Sequence, residues 1–173
     1  MNKIFLSYLE KIEEALQKAL PEQANSTWNT DSFGTLFDAV KNNHLDNLIL
    51  PCRNLMDLGG KRWRPLLLVL CYKLACESGK KSELSENDVY NLTPLVEFVH
   101  TASLIHDDIE DGADTRRGKP AAHITYGLDT ALNAASWLYF EAPVCINKLN
   151  ASAEFKNKFY QLYSQELRRL HLG

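Results

Sequence analysis

Residues 85–111 read SENDVYNLTPLVEFVHTASLIHDDIED, and the fold turns on how that stretch is read. Ser85 with Asp88 three residues on has the pattern of a capped helix start. Apolar residues then recur at helical spacing rather than alternating, so one long helix is expected from Ser85 to about Glu110. Pro94 lies inside it and either kinks or splits it, because proline has no N–H for the helical ladder. His100, Ser103, Asp107 and Asp111 fall on one polar stripe, with Phe98, Val99, Leu104 and Ile105 apolar beside it. Asp107 and Asp111 are about 40° apart around the helix, so their carboxylates share a face. Asp108 lies to one side. His100 returns to within about 20° of the same line, roughly 10 Å below Asp107.

The stretch ends in concentrated charge. Asp107, Asp108, Glu110 and Asp111 place four acidic side chains within five residues, and Arg116-Arg117-Gly118 follows. Acids at a helix C-terminus oppose the macrodipole, and charges that close repel unless a cation compensates them. A solvated helix end is the plain alternative. Mg²⁺ takes one or two carboxylates and keeps its other positions for water and phosphate oxygens. Arginines offer a planar fork of donors to phosphate. Carboxylates, arginines and an implied metal together point to a diphosphate substrate.

Working outward, nearly every segment reads as helix. Residues 2–20 put Ile4, Phe5, Tyr8, Leu9, Ile12, Leu16 and Ala19 on one stripe, and Pro21 ends it. Residues 21–30 are polar and read as a loop. Asp31 or Ser32 caps a short helix through Val40, and residues 45–58 continue helical until Gly59-Gly60. Arg64-Pro65 opens a helix over 66–75 that is apolar all round, which predicts a central position. Residues 78–81 form a loop, and 112–127 lack periodicity. Residues 128–149 are helical with a break near Pro143, and 151–172 form a last amphipathic helix. One all-α domain over residues 1–173, without sheet, is the expectation.

Composition narrows the function. An apolar share of 45% supports one ordinary core. A net charge of −3 is too small for nucleic-acid binding by bulk electrostatics. No apolar run approaches a membrane span. Lys3, Glu10, Lys11, Glu13 and Glu14 exclude a signal peptide at the start of the sequence. Cys52, Cys71, Cys76 and Cys145 lack zinc-site spacing and read as buried free thiols of a cytoplasmic protein.

A second basic turn, Gly59-Gly60-Lys61-Arg62-Trp63-Arg64-Pro65, opens a helix whose free N–H groups, with Lys61 and Arg64, form a plausible anion site. Alone, such a turn is weak evidence, and a single His100 on an apolar helix reads as a core histidine.

Taken together, this turn, Glu97-x-x-His100, Asp107-Asp108-x-x-Asp111 and Arg116-Arg117-Gly118 stand in an order and spacing that resembles the trans-isoprenyl diphosphate synthases, the polyprenyl synthetases, over residues 36–173. The resemblance implies an isoprenoid-synthase-type helical bundle around a deep cavity. Asp107, Asp108 and Asp111 would be the first aspartate-rich motif, with Asp107 and Asp111 as the main Mg²⁺ ligands. Arg116 would hold the allylic diphosphate. Lys61, Arg64, His100 and Arg117 would hold the diphosphate of isopentenyl diphosphate. A homodimer or a heteromer is implied. So is a tail tunnel bordered by Val99, Ala102 and Ser103, where small side chains leave room for a long product.

The sequence departs from that family in two places. Leu170-His171-Leu172-Gly173 resembles the start of the family's Leu-Gly-Gln segment, and the 173 residues hold no second aspartate-rich motif, so little turnover is expected of them alone. Asn133-Ala134-Ala135-Ser136-Trp137 stands where the family commonly has Gly-Asp. Two other functions compete with prenyl-chain elongation. A terpene cyclase shares the aspartate-rich motif but has no use for Lys61, Arg64, His100 and Arg117. A non-catalytic helical partner of a heteromeric prenyl synthase would not need the intact first motif.

Overall fold

The computed structural model describes residues 3–172, with side chains described from Phe5 onward. The expectations placed on Ile4 and Gly173 lie outside that range. Ten helices and one very short ribbon occur among the described residues. They are α1 (Lys3–Ala19), α2 (Ser26–Phe33), α3 (Asn42–Asp57), α4 (Trp63–Glu77), α5 (Glu86–Asn91), α6 (Thr93–Glu110), β1 (Thr115–Arg116), β2 (Lys119–Pro120), α7 (Ala122–Tyr126), α8 (Leu128–Glu141), α9 (Val144–Asn147) and α10 (Ala153–Leu170).

The all-α reading holds, and α6 is its axis, packed on α1, α3, α4 and α8. Phe98, Ala102 and Ile105 of α6 are fully buried with Ile49, Cys52 and Met56 of α3 and Leu138 of α8. Burying each such large side chain stabilises the fold by about 1.5–3 kcal/mol relative to leaving it in water. Ala131, Ala134 and Ala135 let the helices approach closely, and the Cys52 thiol reaches the Ala134 carbonyl at 3.4 Å.

Several expectations are corrected. The long helix over 85–110 is two helices, divided at Leu92. Ser85 and Asp88 do form the reciprocal capping box of the first. Pro94 sits in the first turn of α6, where its missing N–H has no helical partner to lose. The short helix expected from Asp31 or Ser32 to Val40 lies further upstream. The Asn25 side chain caps it by accepting from the Trp28 N–H at 3.0 Å, and Gly34 ends it at φ 69°. Trp28 is buried and its indole N–H donates to the Ala19 carbonyl at 2.9 Å, which draws the polar stretch into a helix.

α4 is less central than its composition predicts. Pro65 and Val69 are buried, while Trp63, Leu67 and Leu74 stand half exposed or more on its outer face. Cys71 and Cys76 are exposed on the same helix, so only Cys52 and Cys145 are the buried thiols expected. Burial pushes the Cys145 thiol up to about 12. The expectation of no sheet fails by four residues, in the antiparallel pair Arg116–Lys119 and Thr115–Pro120. Of the expected tail positions, Ala102 is fully buried and Val99 and Ser103 are half-buried.

Candidate active site

The site forms where two basic turns meet the C-terminal half of α6. The first turn leaves α3 at Gly59-Gly60 and enters α4 through Arg62, whose backbone is left-handed at φ 46°, ψ 32°. Non-glycine residues rarely adopt that conformation, and here the Arg62 side chain accounts for it. It is 3% exposed and donates to Glu97 at 2.8 Å, to Glu13 at 2.7 Å and to the Met56 carbonyl at 2.7 Å. Burial alone would lower its pKa, but the hydrogen bond to Glu13 and the charge of Glu97 outweigh it. Burial pushes the Glu97 carboxyl up, with Arg62 opposing. The guanidinium therefore stays charged, held between two carboxylates.

This anchoring leaves Lys61 exposed on the turn and Arg64 in the first turn of α4. The Arg64 guanidinium lies over the Trp63 ring, 4.4 Å from its centroid, and its Nη1 meets His100 Nε2 at 3.3 Å. Arginine can only donate, so Nε2 accepts and carries no proton. Burial, then the charges of Arg64 and Arg117, lower the His100 pKa to about 4. His100 is thus a neutral imidazole between two cations. Arg117 lies against the first turn: a Cβ at Gly60 would stand 3.3 Å from its Nη2.

The second turn is the hairpin between β1 and β2. Its two central residues, Arg117 and Gly118, both have positive φ, as a tight two-residue hairpin requires. Arg116 precedes them, and its Nε donates to Asp108 Oδ1 at 2.8 Å, with Nη2 on the same oxygen. The bond to Asp108 raises the Arg116 pKa, with burial opposing and the charges of Asp108, Asp107 and Asp111 adding to it.

The aspartates therefore divide by environment. Asp108 is 2% exposed and tied to Arg116. Asp107 and Asp111 are exposed, share a face of α6, and make no side-chain hydrogen bond or ion pair among the described residues. Two free carboxylates one turn apart suit Mg²⁺, which needs only one or two from the protein. No group of three or more metal-ligating side chains gathers among the described residues.

The structure brings Arg64, His100 and Arg117 together and leaves Asp107 near enough to raise the His100 pKa slightly. Lys61 is exposed on the turn and makes no hydrogen bond or ion pair to them among the described residues. Three neighbours escaped the sequence reading. Arg62 is indistinguishable in sequence from its basic companions; residues two positions apart, such as Arg62 and Arg64, point about 200° apart at a helix start, and that spacing is its signal. His106 stacks on Tyr139, donates from Nδ1 to the Ala102 carbonyl at 3.0 Å, and faces Ser136 at 3.4 Å. Burial, then the charges of Asp107 and Glu110, raise the pKa of Tyr139, the ring on which His106 stacks.

An all-α bundle with acidic and basic motifs converging on one helix defines the class. The polyprenyl synthetase family model matches residues 46–173, and the chain belongs to that family. It is 39% identical over 104 residues to a short chain isoprenyl diphosphate synthase of Methanocaldococcus jannaschii, covering 60% of this chain and 30% of that protein. It is 38% identical over 130 residues to a geranylgeranyl diphosphate synthase of Methanosarcina mazei, covering 66% and 38%. The structure of a geranyltranstransferase from Thermotoga maritima is similar at 31% identity and TM-score 0.60, over 94% of this chain and 52% of that one. The fold is shared with a geranylgeranyl pyrophosphate synthetase from the archaeon Geoglobus acetivorans at TM-score 0.71, over 96% and 44%. The chain thus spans about a third of the length of these curated relatives and about half that of these structures.

Proposed function

We propose that residues 1–173 form one helical domain carrying the isopentenyl diphosphate site and the first metal-binding motif of a trans-prenyltransferase. The reaction condenses an allylic diphosphate with isopentenyl diphosphate to a longer polyprenyl diphosphate. The observation that carries this reading is the pairing on one helix. Arg64, Arg117 and neutral His100 converge at one level of α6, and free Asp107 and Asp111 stand about two and about three turns further on.

Arg64 and Arg117, with Lys61 at the rim, bind the diphosphate of isopentenyl diphosphate. His100 adds a neutral hydrogen-bonding nitrogen and no charge. Asp107 and Asp111 would hold Mg²⁺, which when bound offsets negative charge on the allylic diphosphate. Asp108 orients Arg116, which keeps its remaining N–H groups for that diphosphate. The allylic carbon–oxygen bond breaks, releasing diphosphate and leaving an allylic cation. The isopentenyl double bond attacks it, and the proton lost from the adduct passes to the released diphosphate. The protein positions the reactants, stabilises the leaving charge and excludes water.

Calorimetric titration with a non-hydrolysable allylic diphosphate, with and without Mg²⁺, tests the reading. Binding strengthened by Mg²⁺ supports it; Mg²⁺-independent binding, or none, sinks it. With a single aspartate-rich motif, the 173 residues alone are expected to bind without sustained condensation of labelled isopentenyl diphosphate.

A second reading, a non-catalytic helical partner of a heteromeric synthase, draws on exposed apolar residues. Phe140 is 77% exposed, and Leu162 and Leu170 are more than half exposed. Such patches drive association, and they equally suit a homodimer of the catalytic form in the cytoplasm. Among the described residues no helix is long and apolar enough to cross a membrane.

A further inference from the structure

Glu13 lies on α1, before residue 46 where the family match begins. It nevertheless reaches the turn that holds the candidate diphosphate ligands. Its Oε1 accepts from Arg62 Nε at 2.7 Å and its Oε2 from Nη2 at 3.4 Å, a two-point grip on one edge of the guanidinium. The remaining donors of Arg62 go to Glu97 on α6 and to the Met56 carbonyl at the end of α3. One side chain thus ties α1, α3 and α6 together.

The same residue decides how α4 begins. The Arg62 carbonyl accepts from the Leu66 N–H at 3.0 Å, the first bond of that helix. Its left-handed backbone turns the chain from Gly60 into the helix axis. Arg64 follows within that first turn and meets His100 at 3.3 Å. The bonds of the Arg62 side chain hold its left-handed backbone, and with it the start of α4 where Arg64 and Lys61 stand. Glu97 takes Nη1 and the Met56 carbonyl takes Nη2, while Glu13 alone accepts from Nε and supplies the second counter-charge.

We propose that α1 is a positioning element of the diphosphate site, acting through Glu13 on Arg62 to set where Arg64 and Lys61 stand. The inference rests on the reading of that turn as the isopentenyl diphosphate site. Glu13 itself touches no substrate. Its side chain is 39% exposed, so replacing it with glutamine keeps its shape and leaves no buried charge on α1.

The test is a double-mutant cycle on the 173-residue protein, read by calorimetric titration of isopentenyl diphosphate, with thermal melts alongside. Glu13→Gln is expected to weaken binding by about five- to tenfold, and to do so only while Arg64 is present. In the Arg64→Ala background the same substitution should change affinity by less than about twofold, because Arg64, the better-placed of the two groups it positions, is gone and only the exposed Lys61 remains. Glu13→Asp, which restores the charge one methylene short, should recover part of the loss, and it replaces Glu13→Gln if that variant does not fold. Wild-type affinity in Glu13→Gln would overturn the proposal. So would an equal loss in both backgrounds, which marks general loosening of the bundle rather than positioning. Failure of the wild-type protein itself to bind isopentenyl diphosphate would remove the diphosphate reading and this inference with it, and is seen before any variant is made.

Discussion

The two basic turns flanking α6 are built on the same plan with opposite parts exposed. Each contains one non-glycine residue in the left-handed conformation, Arg62 at φ 46° and Arg117 at φ 51°. In the first turn that arginine is the buried one, bonded to Glu97; in the hairpin it is the exposed one, while Arg116 before it is bonded to Asp108. Glu97 and Asp108 are eleven residues apart, which puts them about 20° apart on α6. One line of α6 thus carries two buried carboxylates that each hold a turn in place. The adjoining line carries His100, Asp107 and Asp111. In each turn one arginine serves the fold, and the other, Arg64 or Arg117, stands beside His100. The difference lies in depth: Arg62 is 3% exposed and Arg116 29%.

That depth difference is the first place to break the comparison. Arg62→Met strands the Glu97 carboxylate in the core and should cost about 3–5 kcal/mol in denaturant unfolding, as for removal of one partner from a buried pair. Arg116→Met should cost less, about 1–2 kcal/mol, because water can reach the guanidinium's place. Equal losses would mean the hairpin is anchored as deeply as the first turn.

Ala102→Phe comes next in size. On the reading of Ala102 as a border of the tail tunnel, the added ring would shorten the product of the complete enzyme. The full burial of Ala102 makes this an overpacking substitution, with an expected cost of about 1–3 kcal/mol. A melting temperature equal to wild type would show that the packing around Ala102 has room for a ring.

The residues proposed to bind ligand are smaller in effect and are expected to leave stability alone. Asp107→Asn with Asp111→Asn should abolish the Mg²⁺-dependent gain in allylic diphosphate affinity, about tenfold or more, with an unchanged melt. Arg64→Ala and Arg117→Ala should each weaken isopentenyl diphosphate binding by about five- to tenfold while Mg²⁺ dependence persists. If either arginine variant unfolds the protein, its turn has been divided wrongly between fold and ligand.

The smallest effect is in pH. The His100 pKa is lowered to about 4 from 6.5, so the unfolded state binds the proton first and stability is lost as pH falls from 6.5 towards 4. Glu141, buried on α8 and bonded by the Ser32 hydroxyl at 2.8 Å, has its pKa raised by burial to about 7 from 4.5. There the folded state binds the proton first, and stability is lost as pH rises from 4.5 towards 7. Between pH 4.5 and 6.5 the two slopes oppose and the wild-type curve should be nearly flat. His100→Gln removes one of them, and stability should then fall with rising pH. A profile that stays flat would show that one of these two environments is misjudged.

The pattern of residues was enough for the helices and for the motifs. Apolar spacing at three and four residues marks α1, α3, α8 and α10 because a helix presents that spacing to one side, whatever surrounds it. The aspartate and arginine motifs were legible because like charges at that density need a counter-charge, and no ordinary core supplies one. Pro94 announced a break, but only the packing of α5 against α1 and α4 shows the chain dividing at Leu92 rather than bending. Asn25, not Asp31, caps α2 because Trp28 finds both a buried place and a carbonyl on α1, contacts that local sequence does not contain.

What sequence determined alone was therefore which residue types gather: carboxylates and cations along one helix, with their spacing fixed by 3.6 residues per turn. What only the tertiary structure decided was the role of each. Asp107 and Asp108 are neighbours in sequence, as are Arg116 and Arg117, yet one of each pair is turned inward and bonded while the other stays exposed. Side chains one residue apart point about 100° apart on a helix, and further still across a tight turn. Which of the two meets solvent depends on where α1, α3 and the hairpin come to rest, and that is settled by long-range packing.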